Sequence, residues 1–284
     1  MAKESELLRF VKLCSHLARY EVPLYRSKFS KHTFTQPQHI VLSCLKVKFR
    51  LTYRDLIDQL EEMPRIREAL GLKVVPHFTT VQKAFSRLST LLWRVLLKAS
   101  ASLLEQGRIA VIDASGFERH YASHFYTRRT KLKISAIKTT LLGDVKSLAI
   151  IDLHLTTTRR HDTQVAPRLA MRNLDAFTVL IGDKGYDDRR FRFLLRREGK
   201  RPLIKHREFK FWDRSANARI NSKLYAKRSL LETINSMIKR KYGSWVSSRA
   251  WHRQFREIVA KCVMHNLELA LKAMTFIVAG GQIL

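Results

Sequence analysis

The chain has 284 residues, 45% of them hydrophobic, enough to bury a core and too apolar for wholesale disorder. Lys and Arg number 54 against 24 Asp and Glu, a formal net charge of +30. Self-repulsion of that size calls for a polyanionic partner, and because the bases are spread along the whole chain, nucleic acid ranks ahead of an anionic membrane surface. Cys14, Cys44 and Cys262 are few and far apart with no C-x-x-C pair, which argues against structural zinc and a disulfide framework. The apolar tail "AMTFIVAGGQIL" is too short to cross a bilayer, and "MAKESELLRF" lacks a signal-peptide core. The expected setting is a reducing cytoplasm with access to DNA.

Residues 1–30 carry no assignable motif. From there to about residue 105 the apolar residues recur at helical spacing. "PQHIVLSCLKVKF" starts at Pro37, which suits a first helical turn. "TYRDLIDQL" opens on Thr52 with Asp55 three residues on, close to a capping box. "PRIREAL" stops at Gly71, and "TTVQKAFSRL" carries a second expected capping box, Thr79 with Gln82. Short helices with tight turns and many bases fit a helix-turn-helix-like DNA-binding region, here residues 1–105; a helical bundle that binds nothing is the plainer alternative.

Past residue 106 the texture changes to β-branched runs between turn residues. "RIAVIDASG" reads as a strand. "KLKISAIKTTLL" and "VKSLAIIDLHL" read as two strands joined by a hairpin turn at Gly143-Asp144. "DTQVAPRLAMRN" reads as a helix with Pro167 in its first turns, "FTVLIGDKGY" as a buried strand, "DRRFRFLLRREG" as a helix closed by Gly199, and "RPLIKH" as a fifth strand. A basic loop (207–221), a helix from Tyr225 to Gly243 and a long helix near 251–276 complete the chain. A meander of three strands followed by alternating helices and strands predicts a mixed α/β sheet for residues 106–284.

Asp113 follows the first strand and Asp183 the fourth, the positions where ligand groups gather in α/β sheets. An aspartate after a strand is equally read as a loop residue or a cap. Gly185 lets the backbone turn sharply after Asp183. At about 100° per residue, Tyr225, Arg228, Glu232 and Lys239 share an arc of about 60°, opposite Leu224, Leu230, Leu231, Ile234, Met237 and Ile238. That stripe is either a solvated face with an Arg228–Glu232 ion pair or one acid set among phosphate binders. Three carboxylates from two strand ends and a facing helix can converge on two Mg²⁺ ions, whose hard oxygen ligands these are. Asp152, Asp187 and Asp188 are explained by capping or surface roles; His161 and Asp162 stay unassigned.

The spacing Tyr225, Arg228, Glu232, Lys239 resembles the Y-(2)-R-(3)-E-(6)-K signature of DDE transposases of the insertion-sequence-four and insertion-sequence-five group. "VIDASG" and "IGDKGYDD" resemble the segments bearing that family's two aspartates, and the likeness extends over residues 35–284. It implies a ribonuclease-H-like α/β catalytic core at 106–284, a mixed sheet flanked by helices, behind an all-α N-terminal region. Asp113, Asp183 and Glu232 would be catalytic metal ligands for two Mg²⁺ (or Mn²⁺) ions; Tyr225, Arg228 and Lys239 would contact DNA. The implied reaction cuts DNA at an element's terminal inverted repeats and joins the freed 3′-hydroxyl to target DNA. The implied partners are double-stranded DNA and a second copy of the chain, at the nucleoid and away from membranes. Where some members insert a β-rich subdomain, only residues 207–221 stand here. Two other readings are a non-catalytic repressor derived from a mobile element and a ribonuclease-H-like nuclease.

Overall fold

The computed structural model describes residues 4–119, 136–158 and 160–280. Among these, residues 4–104, 241–243 and 248–280 form one compact unit, and the described residues of 105–240 with 244–247 a second.

Capping chemistry starts most helices of the first unit. Ser5 accepts from the Leu8 N–H and opens α1 (Glu6–Glu21), a helix not foreseen in residues 1–30. Thr35 and Gln38 form a capping box at the head of α2 (Gln36–Lys48), with Pro37 in its first turn. Thr52 and Asp55 open α3 (Tyr53–Glu61) as expected, and α4 (Pro64–Leu70) ends on Gly71 at φ +64°. The second expected capping box is absent: α5 (Phe78–Arg87) begins two residues earlier than a Thr79 cap requires, so His77 is the N-cap and Thr79 lies inside the helix, its Oγ1 2.8 Å from His77 Nδ1. Ser89 caps α6 (Thr90–Ser102), also unforeseen.

The C-terminal helix, Trp251–Gly280, belongs to this unit rather than to the 106–284 domain where the sequence reading put it. Its buried face, including Ile258, Val263, Met264 and Leu267, packs on α6 and α2. Buried Asn266 donates to Ser100 Oγ at 3.1 Å, and Arg256 donates to the carbonyls of Phe85 and Ser86 at the end of α5.

In the second unit β1 (Ile109–Arg119) outruns its predicted length because β2 (Ala136–Asp144) pairs antiparallel along it, from Ala110↔Asp144 to Glu118↔Ala136. Residues 131–135 of the second predicted strand lie outside the described residues. β3 (Ile150–Thr156) pairs antiparallel with β2. Gly143-Asp144 is not the hairpin turn. Gly143 stays in the strand opposite Val111, and the chain turns at 145–149. Buried Asp144 holds that turn, accepting from the backbone N–H groups of Gly107, Lys146 and Ser147 and from Ser147 Oγ.

Next come α7 (Asp162–Met171), with Pro167 well past its first turn, and β4 (Val179–Gly182), parallel to β1 from Ile109↔Val179 to Ile112↔Gly182. α8 (Arg189–Arg197) and β5 (Arg201–Ile204), parallel to β4, follow. The expected basic loop holds a helix, α9 (Phe211–Ala218), which buries none of its residues and so left no apolar period to read. α10 (Ser222–Ala226), α11 (Ser229–Tyr242) and β6 (Trp245–Val246), paired with the far end of β1, come last.

The strand order is β3-β2-β1-β4-β5. An antiparallel meander extended by parallel strands and flanked by helices is the ribonuclease-H-like α/β fold, preceded here by an all-α region. Ala110, Ile112, Leu142, Leu180 and Ile204 of one sheet face pack with Leu169 of α7 and with Phe191 and Leu195 of α8. Among the described residues no helix is long and apolar enough to cross a membrane.

Candidate active site

The parallel pairing of β1 and β4 ends at Ile112↔Gly182. Asp113 is the next residue on β1 and, unlike the strand-end position expected from the sequence, lies inside that strand, paired with Leu141 of β2; Asp183 is the first residue past β4, so the two carboxylates stand side by side. Side chains alternate along a strand, so Asp113 shares a face with Val111, whose partner on β2 is Gly143. That face is covered by α11: a Cβ on Gly143 would lie 2.9 Å from Leu231 Cδ1 and 3.4 Å from Ile234 Cδ1. The bare glycine seats the helix closely, and Glu232, beside Leu231, stands over the same face.

The predicted single helix from Tyr225 to Gly243 is broken. α10 stops at Ala226 and α11 starts at Ser229. Across the junction the backbone switches to i→i−3 bonds: Arg228 N–H to Tyr225 O, Leu230 N–H to Lys227 O and Leu231 N–H to Arg228 O. The Ser229 hydroxyl also takes the Ala226 carbonyl at 3.0 Å. The arc computed for one straight helix therefore holds for Glu232 and Lys239 only. Arg228 instead reaches Glu232 from the turn, Nη1 to Oε1 at 2.9 Å.

Electrostatics ties the three carboxylates together. Asp113 is pushed up to about 6, chiefly by burial, with Asp183 and Glu232 adding to the rise against the Ala114 N–H and Arg228. Burial raises the Tyr225 hydroxyl as well, and Arg228, Asp183 and Lys184 all act on it, so the tyrosine stands near the second aspartate. Lys239 Nζ lies 5.6 Å from the centroid of the buried Phe117 ring. A cavity of about 570 Å³ opens between β1 and α11, lined by Asp113, Ser115, Glu232, Asn235, Lys239 and Arg240.

The sequence profile of the family described as Transposase DDE domain matches residues 105–267, more than half of the chain. The chain belongs to that family. No curated protein matches it. Among solved structures it is similar to a piggyBac transposase in a synaptic complex with hairpin DNA, at 11% identity and a TM-score of 0.48, over 94% of this chain and 74% of that one.

DDE transposases are divalent-metal enzymes, and the donor set of this DDE domain fits such an ion in kind: carboxylate oxygens, one carboxyl raised by burial and like charge. It is not drawn tight. Among the described residues no three His, Cys, Asp or Glu side chains are gathered closely enough to hold a metal, and Glu232 faces Arg228. Asp183 also accepts from the Gly185 N–H at 2.6 Å.

Sequence reasoning missed several neighbours. Asp162, left unassigned, pairs with Lys138 at 2.7 Å, and its Oδ2 would lie 3.6 Å from a Cβ on Gly185. Arg207 donates to the Lys184 carbonyl at 3.2 Å, tying the basic segment to the turn after Asp183. The one available signal was Asp162 heading a predicted helix, a place that capping explains equally well. Gly185 itself is not in the left-handed region. Its lack of a Cβ matters because that atom would meet Asp183 Oδ1 at 2.8 Å.

Proposed function

We propose that the chain is the transposase of an insertion sequence of the four/five group, carrying the Y-(2)-R-(3)-E-(6)-K signature on Tyr225, Arg228, Glu232 and Lys239. It binds the terminal inverted repeats of its element, cuts there and joins the 3′-hydroxyl to target DNA. The observation that carries this reading is the adjacency of Asp113, within β1, and Asp183, just past β4, beneath the helix bearing Glu232. These three residues would hold two Mg²⁺ or Mn²⁺ ions, which when bound activate the attacking oxygen and stabilise the leaving one.

The chain's own side chains do the rest. Lys239 and Arg240 border the cavity and neutralise the scissile strand's phosphates. Arg228 exchanges Glu232 for a phosphate when DNA enters. Tyr225 flanks Asp183 and orients the strand. The helical unit, with residues 1–104, serves as the helix-turn-helix-like DNA-binding region, residues 105–240 with 244–247 carry the catalytic core, and two copies act on paired ends at the nucleoid of the cytoplasm.

The test is incubation with end-bearing DNA and Mg²⁺ or Mn²⁺. Wild-type protein is expected to nick and join. Glu232→Gln, which removes one ligand charge at constant shape, is expected to abolish both while keeping DNA binding. Equal cutting by the variant removes Glu232 from the site; tight binding with no cutting by wild type turns the reading to a repressor, and cutting without joining turns it to a nuclease.

A further inference from the structure

The two sides of α8 differ sharply. Phe191 and Leu195 pack with Ala110 and Ile112 of the sheet, and buried Arg192 is held by Asp187 Oδ1 at 2.7 Å and by the Ile204 carbonyl at 2.9 Å. At about 100° per residue, Arg189, Arg190, Phe193, Arg196 and Arg197 share the opposite arc of about 120°. All five are exposed, Phe193 at 64%. Four guanidinium groups and one aromatic ring thus make up the outer face of a single helix.

A basic face on a basic protein is by itself only a solvated surface. Three observations set this one apart. Arg189 and Arg190 stand in the first turn, where the helix dipole favours acids and opposes cations, and no acid stands there with them. The nearby carboxylates are engaged elsewhere: Asp188 accepts the Phe191 N–H at 2.7 Å, Asp187 holds Arg192, and Glu198 takes Arg197 at 3.1 Å. Arg189, Arg190 and Arg196 form no ion pair among the described residues. Phe193 in turn leaves an apolar ring in water on a face otherwise made of arginines. None of this stabilises the fold, and local rules are broken chiefly at functional sites.

Unpaired arginines suit a polyanion, and the planar fork of each matches two oxygens of a phosphate. Duplex DNA presents phosphates in rows. A bilayer fits worse, because the apolar side of α8 is already packed on the sheet and only one ring is left to insert. A second copy of a chain with net charge +30 meets the face with like charge. α8 covers the sheet face of Ala110 and Ile112, whereas Asp113 shares the other face with Val111 under α11, so the stripe is separate from the cavity of the carboxylates. Arg189 follows Asp183 by six residues, a reach of about 20 Å at most, short enough for one duplex to meet both.

We propose that the outer face of α8 is a second DNA-binding surface: Arg189, Arg190 and Arg196 hold phosphates of the duplex flanking the scissile position, and Phe193 packs against its sugar–phosphate backbone. This rests on the transposase reading for its partner and adds a grip that needs no metal.

The test begins with a thiol. Cys14, Cys44 and Cys262 are buried, so Phe193→Cys gives the full-length protein one exposed cysteine. Its alkylation by a polar maleimide is timed with and without duplex from the DNA flanking the coding sequence, in metal-free buffer. At a duplex concentration about ten times Kd, roughly a tenth of the protein is free, so labelling is expected to slow about tenfold. Raising the salt until the duplex dissociates is expected to restore the rate. A rate unmoved by bound duplex overturns the proposal; if phosphatidylserine vesicles or a higher protein concentration then slow it, the face belongs to a membrane or to a second copy. The second measurement is the salt dependence of affinity. Replacing Arg189, Arg190 and Arg196 together by Ala is expected to flatten the slope of log K against log salt by about 2.7, or 0.9 for each contact. Replacing all three by Lys, which keeps the charge, is expected to keep the slope. Flattening of less than about 0.9 by the Ala variant, or equal flattening by the Lys variant, overturns the proposal as well. Nicking of end-bearing duplex by wild type with Mg²⁺ is scored separately. Protection of the thiol without nicking removes the transposase reading and leaves the α8 surface standing, while nicking without protection removes the surface alone.

Discussion

At the scale of single residues, the site depends on room as much as on charge. Asp183 turns its Oδ1 back onto the Gly185 N–H at 2.6 Å, and a Cβ on Gly185 would lie 2.8 Å from that oxygen. Gly185→Ala therefore forces the carboxylate, not the backbone, to shift, because Gly185 carries no left-handed strain to relieve. A misplacement of about 1 Å in a phosphoryl-transfer site costs on the order of 100-fold in rate. The expected outcome is a loss of that order in strand cutting, with the thermal midpoint and metal-free DNA affinity close to wild type. Cutting at the wild-type rate would show that Asp183 works in some other position. Asp113 is constrained differently. Burial and two like charges hold it near 6, so a cation at the site relieves an existing repulsion.

At the scale of elements, α11 sets the height of Glu232 above the strands, and Gly143 sets the height of α11. A side chain there must displace Leu231 and Ile234, both fully buried. Gly143→Val is expected to cost about 1–3 kcal/mol of unfolding free energy, the usual range for overpacking, and Gly143→Ala less, since Leu231 Cδ1 is the far end of a pliable side chain. Denaturant melts check the order; equal stability for all three would mean that α11 does not rest on the strand here. No local pattern in "LLGDVKSLA" reveals this role. Gly-Asp between two apolar runs is ordinary turn chemistry, and only the distant Leu231 makes Gly143 a packing position. The same limit explains other departures. The local signals put Glu232 on a helix and Asp183 just past the fourth strand, where both stand, but they ended the first strand too soon, so Asp113 lies inside β1 rather than after it. They did not reveal the break at Lys227–Arg228, where i→i−3 bonds and the Ser229 hydroxyl compete with a continuous helix. Nor did they reveal that the C-terminal helix joins the helical unit, since an apolar face does not name its partner. Asp162 was passed over because capping accounts for such a residue on its own.

At the scale of the whole molecule, a net charge of +30 makes affinity for DNA a function of salt. Each phosphate neutralised releases counterions, and log K falls against log salt with a slope of about −0.9 per contact. A protein making about 6–10 such contacts loses on the order of 1,000-fold or more in affinity between 50 and 200 mM salt. Within that total, the two bases of the stripe are not equivalent. Lys239 stands over an aromatic ring and forms no ion pair among the described residues, so its charge is available to the phosphates. Arg228 is already paired with Glu232 at 2.9 Å and must give up that partner to take a phosphate. In metal-free buffer Lys239→Ala is therefore expected to flatten the salt slope by about 0.9, one full contact, and Arg228→Ala by clearly less. Glu232→Gln frees Arg228 from its counter-charge, so in that background Arg228→Ala should recover the full single-contact effect. Fluorescence anisotropy titrations at four or more salt concentrations read all of these slopes on one duplex. If Arg228→Ala flattens the slope as much as Lys239→Ala while Glu232 is intact, the ion pair does not persist at the DNA-binding surface. Glu232 would then stand free for metal before DNA arrives, rather than being released by it.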